Sequence, residues 1–414
     1  MRLAAHTLKN LETIFMAAPD NMPSAIDQPL TQQGLLKAAE TATGLSNWNN
    51  HSNFLIGLNA LIDATEAMDP TPEFRANVHN RIVQLLITKL QMINDEIQHP
   101  EILEQEIKNP LIVVGLPRTG TTILYDLLSL DPASRSPREW ETFAPWPAPE
   151  QATFNSDPRI DMINAIYKKM LDASPELADI QRLDSTRPGE CNHIMTHHFA
   201  STNFSAELAV PAYQDWFINT TVPGQYASHK RVLQQLQWKG PKGNWLLKSP
   251  VHLFDLENLL KTYPDAQLVW THRDPTLTIS SISSMVHALI KANGANIPKD
   301  IIGAGQWELW RAGLSKGTQS RRDNPDIENA VLDIAHRDVV NDPVAAVRKV
   351  YEHFGRDFSE QHATLISDFI ANHPAASRIG KHKHSPEEYG LNAEKIRENL
   401  GDYYSQYGQY CAKP

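Results

Sequence analysis

The run Gly115-Leu116-Pro117-Arg118-Thr119-Gly120-Thr121-Thr122 combines two glycines, three hydroxyls and a guanidinium within eight residues. Where such a loop follows a strand and opens a helix, its amide N–H groups and the helix dipole converge on a bound anion, phosphate above all. The spacing is that of a Walker A loop, but Thr121 stands where that loop has the Lys that reaches the β- and γ-phosphates. Arg118 supplies another cation, permanently charged and able to meet oxyanions with paired donors. The same spacing serves an ATP-dependent kinase or another P-loop NTPase, and the absent Lys counts against that reading. The plainer alternative is a glycine-containing turn with an exposed Arg.

Residues 117–122, PRTGTT, resemble the 5′-phosphosulfate loop of sulfotransferases that use 3′-phosphoadenosine 5′-phosphosulfate (PAPS), in the Arg-containing form of tyrosylprotein and many bacterial enzymes. In that family an Arg at the end of a later strand and a Ser eight positions on hold the 3′-phosphate; Arg273 and Ser281 match them. Residues 245–252, WLLKSPVH, resemble the bacterial LKSP-x-H segment and put Lys248 forward as a second catalytic cation. Cytosolic animal enzymes have a catalytic His two residues after that Lys, where this chain has Pro250, so His252 is either a substitute base or a capping His of the next helix. Arg378, Lys381 and His382 resemble a basic loop that closes over the 3′-phosphate, the alternative being a solvated basic loop. The resemblance spans residues 110–390.

It implies PAPS as donor, 3′-phosphoadenosine 5′-phosphate (PAP) as product and no metal. Arg118, Thr119, Gly120, Thr121, Thr122, Arg273, Ser281 and Lys381 are the expected donor-binding residues. Sulfuryl transfer, like phosphoryl transfer, should pass through a loose in-line transition state, so positioning and cations, here Arg118 and Lys248, carry most of the catalysis. The acceptor hydroxyl must lose a proton to Glu139, Glu141 or His252. Spacing from the loop Arg matches Glu139 to the base of tyrosylprotein enzymes. The Trp-Glu pattern of bacterial relatives favours Glu141, with Trp140, Phe143 and Trp146 near in sequence to desolvate a carboxylate. His193 and His197 are four apart, as metal ligands on one helix face can be, but without a Cys or acidic partner at ligand spacing they read as packing or acceptor contacts. Glu190, after Arg-Pro as in bacterial relatives, is a candidate for the acceptor pocket. Two other readings use the same motifs: a kinase or NTPase, and a PAP-binding relative with dehydratase or no transferase activity.

These residues need strands to carry them. Leu111-Ile112-Val113-Val114 is a short apolar run before the loop, as in a buried parallel strand, and Ile123, Leu124, Leu127 and Leu128 behind it have helical spacing. Further strands are expected at 245–247, 267–271 and 330–334, each followed by a helical pattern; Asp342-Pro343 starts the last helix and Gly355 ends it. The order implies an α/β, P-loop-like three-layer fold with a central parallel sheet. Residues 1–108 form a helical N-terminal segment packed on the core, clearest at Thr71-Pro72-Glu73 followed by Val78, Ile82, Leu86, Leu90 and Ile93. Residues 109–414 form the catalytic domain, with a mainly helical acceptor-pocket insertion at about 140–242.

The 414 residues, 41% hydrophobic and 21% charged, are ordinary globular composition, and a net charge of −10 disfavours nucleic-acid binding through a basic surface. Two cysteines, Cys191 and Cys411, imply no disulfide framework and a reducing compartment. The first residues lack the apolar core of a signal peptide, and no stretch reaches the roughly 20 apolar residues of a span, so a cytoplasmic protein without membrane insertion is expected. Trp140, Phe204, Tyr213, Trp216 and Phe217 point to a small hydroxylated acceptor that is partly apolar. A homo-oligomer is compatible with all of this.

Overall fold

A computed structural model describes residues 22–48, 52–175, 177–180, 182–292, 296–373 and 384–411; Arg378, Lys381 and His382 of the expected closing loop lie outside them. The chain divides into two compact units.

The first comprises residues 107–137, 170–183 and 243–414. Among the described residues its strands form a five-stranded parallel sheet: β1 Leu111–Val114, β2 Ser134–Arg135, β3 Asn244–Lys248, β4 Gln267–His272 and β5 Val331–Ala335, in the order β2-β3-β1-β4-β5. Every residue of β1 is buried, since helices cover both faces and leave no solvent side to select for alternation. Leu111, Val113, Leu246, Val269, Leu332 and Ile334 share a core with Leu124, Leu127 and Leu128 of the helix Thr121–Leu128 and with Val347 and Val350 of the helix Pro343–His353. Each such side chain, taken from water, contributes roughly 1.5–3 kcal/mol. On the opposite face the helix Lys299–Asp323 approaches so closely that a Cβ at Gly317 would stand 2.8 Å from the Trp270 ring. The result is the three-layer α/β arrangement of P-loop-like folds.

With β1 between β3 and β4, the chain segments leaving these three strands emerge side by side. This is the carboxyl edge at which open α/β sheets bind ligands. Thr119, Lys248 and Arg273 all lie at or just beyond those strand ends.

The second unit comprises residues 1–106, 138–169 and 184–242. Its long helix Pro72–Gln98 begins where the Thr71 hydroxyl accepts from the Phe74 N–H, and Val78, Ile82, Leu86, Leu90 and Ile93 are all buried. Glu96 on that helix pairs with Arg231 at 2.9 Å, and the Gln235 amide donates to Asp95 at 2.9 Å, so the N-terminal helices pack on the helix Gln225–Trp238. Among the described residues no helix is long and apolar enough to cross a membrane.

Candidate active site

The loop after β1 is shaped by contacts only small residues allow. Gly115 has φ of +127°, and a Cβ there would lie 2.6 Å from the Thr271 carbonyl oxygen. Thr119 turns inward, its hydroxyl 2.6 Å from the Leu116 carbonyl oxygen and 2.6 Å from the Thr271 hydroxyl, which ties the loop to β4. Gly120, at φ +90°, precedes the helix Thr121–Leu128, and Thr122 is exposed at its first turn. Arg118 itself takes φ of +68°, unusual for a side-chain-bearing residue and typical of functional loops.

The expected donor-site residues of this unit come together. Arg118 Nε donates to the Ser281 hydroxyl at 3.2 Å, and Arg273 donates to the Arg118 carbonyl oxygen at 3.0 Å. Lys248, almost fully buried at the end of β3, reaches the Thr122 hydroxyl at 3.4 Å. Burial lowers the proton affinity of Arg118, and the Arg273 charge lowers it further. Burial likewise lowers that of Arg273, against a partial offset from Asp274. Asp274 does not form the simple surface ion pair that its place beside Arg273 allows. It accepts from the Thr276 N–H, the Thr276 hydroxyl and the Tyr404 hydroxyl, and pairs with Arg397 at 3.4 Å.

Two further features of this edge are not visible as motifs. His336, just after β5, sits with a ring carbon 3.0 Å from where a Gly120 Cβ would be; burial, then Arg273 and Arg118, push its pKa down to about 4. His272, immediately before Arg273, is clamped between Asp333 and the Tyr403 hydroxyl, both at 2.8 Å. Arg321 holds Asp333 at 2.7 and 2.9 Å; burial raises the Asp333 pKa, but Arg321 and then His272 outweigh it and bring it to about 2. The backbone that presents Arg273 is thereby fixed on both sides.

In the helical unit, the short helix Glu139–Phe143 carries the two candidate carboxylates. Trp140 is fully buried between the Arg159 guanidinium at 4.4 Å and the Phe154 ring at 5.5 Å, which pins the helix. The Glu139 N–H donates to the Arg187 carbonyl at 2.8 Å, and Gly189 lies so close that a Cβ there would stand 3.0 Å from Glu139 Cα. Glu141 is fully buried and accepts from the Arg138 N–H at 2.8 Å, capping its own helix. Glu139 is partly exposed, accepts from the Tyr167 hydroxyl at 3.3 Å and lies 4.0 Å from His193 Nε2. Burial and then the Glu139 charge raise the Tyr167 pKa, so that phenol stays a donor. Phe143 lies tilted against His193 at 4.1 Å and meets Tyr167 edge-on at 6.2 Å, walling the carboxylate with rings.

Other expected residues are buried. His252 is fully buried in the 3-10 turn Pro250–Phe254. Trp140, Phe204, Tyr213 and Phe217 are buried core residues, Phe204 packing on Phe199 and Tyr213, and do not form an exposed acceptor surface. Among the described residues no three His, Cys, Asp or Glu are grouped as metal ligands: His193 lies in the helix Cys191–Thr196, whereas His197 is its buried C-cap.

Residues 110–360 match the model of the Sulfotransferase family. Over 324 residues, 72% of this chain and 75% of the relative, the sequence is 24% identical to the omega-hydroxy-beta-dihydromenaquinone-9 sulfotransferase Stf3 of Mycobacterium bovis, and equally to that of Mycobacterium tuberculosis. The crystal structure of sulfotransferase STF9 from Mycobacterium avium superposes with a TM-score of 0.79 at 27% identity, covering 92% of this chain and 98% of that one. That of STF1 from Mycobacterium tuberculosis gives 0.76 at 26%, covering 91% and 99%.

Proposed function

We propose, for a chain that belongs to the sulfotransferase family and is itself a sulfotransferase, that the donor is PAPS and the acceptor a hydroxyl on a largely apolar molecule. The observation that carries the donor assignment is the like-charge pair at the sheet edge. Arg273 donates to the Arg118 backbone while its charge disfavours that of the Arg118 side chain, an arrangement that a bound polyanion relieves. Loop amides of residues 118–122 and the Thr121 and Thr122 hydroxyls fit the 5′-phosphate, and Arg273 with Ser281 fits the 3′-phosphate. No Lys stands at the loop position a nucleoside triphosphate needs.

When bound, the donor supplies an activated sulfuryl group on phosphate. The Arg118 guanidinium and Lys248 ammonium stabilise charge on the sulfuryl and bridging oxygens as the acceptor O–S bond forms and the S–O bond to the 5′-phosphate breaks. The acceptor proton passes to the Glu139 carboxylate, and PAP leaves. Glu139 is preferred to Glu141 because the latter is fully buried and turns a carboxylate oxygen back to its own helix terminus, and to His252 because that residue is fully buried. The rings of Phe143 and Tyr167 beside Glu139 favour an apolar acceptor, in keeping with the hydroxylated menaquinone named for Stf3.

Calorimetry of PAP, with ATP and adenosine 5′-phosphosulfate as comparators, tests the donor. PAP should bind tightest, and Arg273→Ala should weaken it about 10- to 100-fold by removing a charge-assisted contact. Preference for ATP would overturn the assignment. Transfer of labelled sulfate from PAPS to a panel of hydroxylated quinones, long-chain alcohols, phenols and sugars tests the acceptor, and a response confined to sugars would refute an apolar one.

A further inference from the structure

The helical unit contains a cavity that sulfuryl transfer does not use. It is lined by Lys89, Ile93 and Glu96 on one face of the helix Pro72–Gln98, by Ser228 and Arg231 of the helix Gln225–Trp238, and by His197. Its volume is about 20 Å³. That is room for a water or a small ion.

The charges around it are unequally matched. Arg231 has Glu96 at 2.9 Å, and Arg81 has Glu207 at 3.4 Å. Lys89 is only 8% exposed, and among the described residues its ammonium has neither a hydrogen-bond acceptor nor a carboxylate at ion-pair distance. Its close neighbour is the face of Phe54, 5.0 Å from Nζ to the ring centroid. An ammonium has three N–H donors, and a buried charge left without a counter-ion is strongly disfavoured. Burial, opposed by Glu96 and joined by a smaller effect of Arg231, brings the Lys89 pKa down to about 8, so the group is still mainly charged at pH 7. Burial, then Arg81 and Lys89, hold His197 neutral with a pKa of about 3. The Thr142 backbone lies near that ring, yet neither ring nitrogen makes a hydrogen bond of ordinary geometry. A neutral imidazole keeps one N–H to donate.

We propose that this cavity binds a monovalent inorganic anion of chloride size, ion-paired to the Lys89 ammonium, with the Ser228 hydroxyl and the His197 ring N–H as further donors at its wall. A water fills the space but leaves the ammonium without a counter-ion at ion-pair distance.

Thermal unfolding at pH 7 and constant ionic strength, with gluconate replaced stepwise by chloride, reads out the site. Wild type should gain a saturable rise in Tm of about 1 °C or more that Lys89→Met does not show. Comparing the two proteins cancels general salt effects. Crystals of the wild-type protein in bromide should show an anomalous peak in the cavity, which decides the matter even if the variant does not fold. Equal chloride responses of the two proteins, or bromide confined to the outer surface, would overturn the site.

Discussion

Glu139 and Glu141 stand two apart on a helix that turns about 100° per residue, so their side chains point in widely different directions and cannot share a duty. Glu141 turns back to its own N-terminus, while Glu139 joins Tyr167 and His193. Glu139→Gln keeps the Tyr167 hydrogen bond and removes only basicity, so kcat for sulfate transfer should fall about 100-fold or more. Its PAP affinity should stay within about twofold, because no donor contact is assigned to this side chain. Glu141→Gln should instead lower stability by about 1 kcal/mol through a weaker cap, with much of the turnover retained. The reverse pattern in parallel kinetic and denaturant measurements would exchange the two roles. The Trp-Glu pattern favours Glu141 at the level of sequence because a motif records spacing and not the face a carboxylate turns to. The loop, Lys248 and Arg273 were legible for the opposite reason: each lies at or just beyond the end of an apolar run, where the strand dictates the position of its neighbours, whereas Ser281, within the helix Pro275–Ala292, stood out only by its spacing from Arg273 in the family resemblance. Tyr167 and His336 carry no such local signal and owe their places to packing between distant segments.

Strands were legible wherever both faces are covered. Leu111–Val114 is a continuous apolar run, and β3, β4 and β5 extend or shift only a residue or so from the runs that announce them. β2 has two residues, Ser134–Arg135, and exists because Ser134 and Arg135 pair with Asn244 and Trp245, which no local pattern reveals. Caps were equally plain: the Thr71 and Asp342 side chains accept from Phe74 and Ala345 N–H groups at the expected helix starts. Between these regular elements, the loop after β1 depends on a glycine as well as on its side chains. Gly115→Ala forces a Cβ against the Thr271 carbonyl at a φ that L side chains rarely adopt. The strain, on the order of 1–3 kcal/mol, must be relieved by moving β4 or the loop. PAP affinity should therefore fall about 5-fold or more although no ligand-contacting side chain is removed. Unchanged calorimetric affinity would show that the loop is not held in this register.

At the scale of the molecule, the chain contributes three separate segments to the helical unit, and the 184–242 segment brings three histidines, His197, His198 and His229, into its interior. His197 and His229 are both buried, and burial is the leading cause of a pKa near 3 for each. In the unfolded chain an ordinary His titrates near 6.5, so between about pH 6.5 and 3 the unfolded state binds protons that the folded state does not. Stability must fall as pH drops through that window, by about 2 kcal/mol per histidine on reaching pH 5. Asp333 has the other kind of linkage. Its folded pKa, about 2, lies below the usual carboxylate value, so its contribution is complete above roughly pH 4 and is lost only as pH falls towards 2. It therefore leaves the interval from pH 7 to 5 to the histidines. Urea unfolding followed by circular dichroism at pH 7, 6 and 5 should show a steady loss of stability, and His229→Gln, which cannot protonate, should remove about half of the contribution from this pair. A flat profile between pH 7 and 5 would mean that these rings reach water or find an anionic partner when protonated, and the packing of the 184–242 segment on the N-terminal helices would have to be looser than the fold described above.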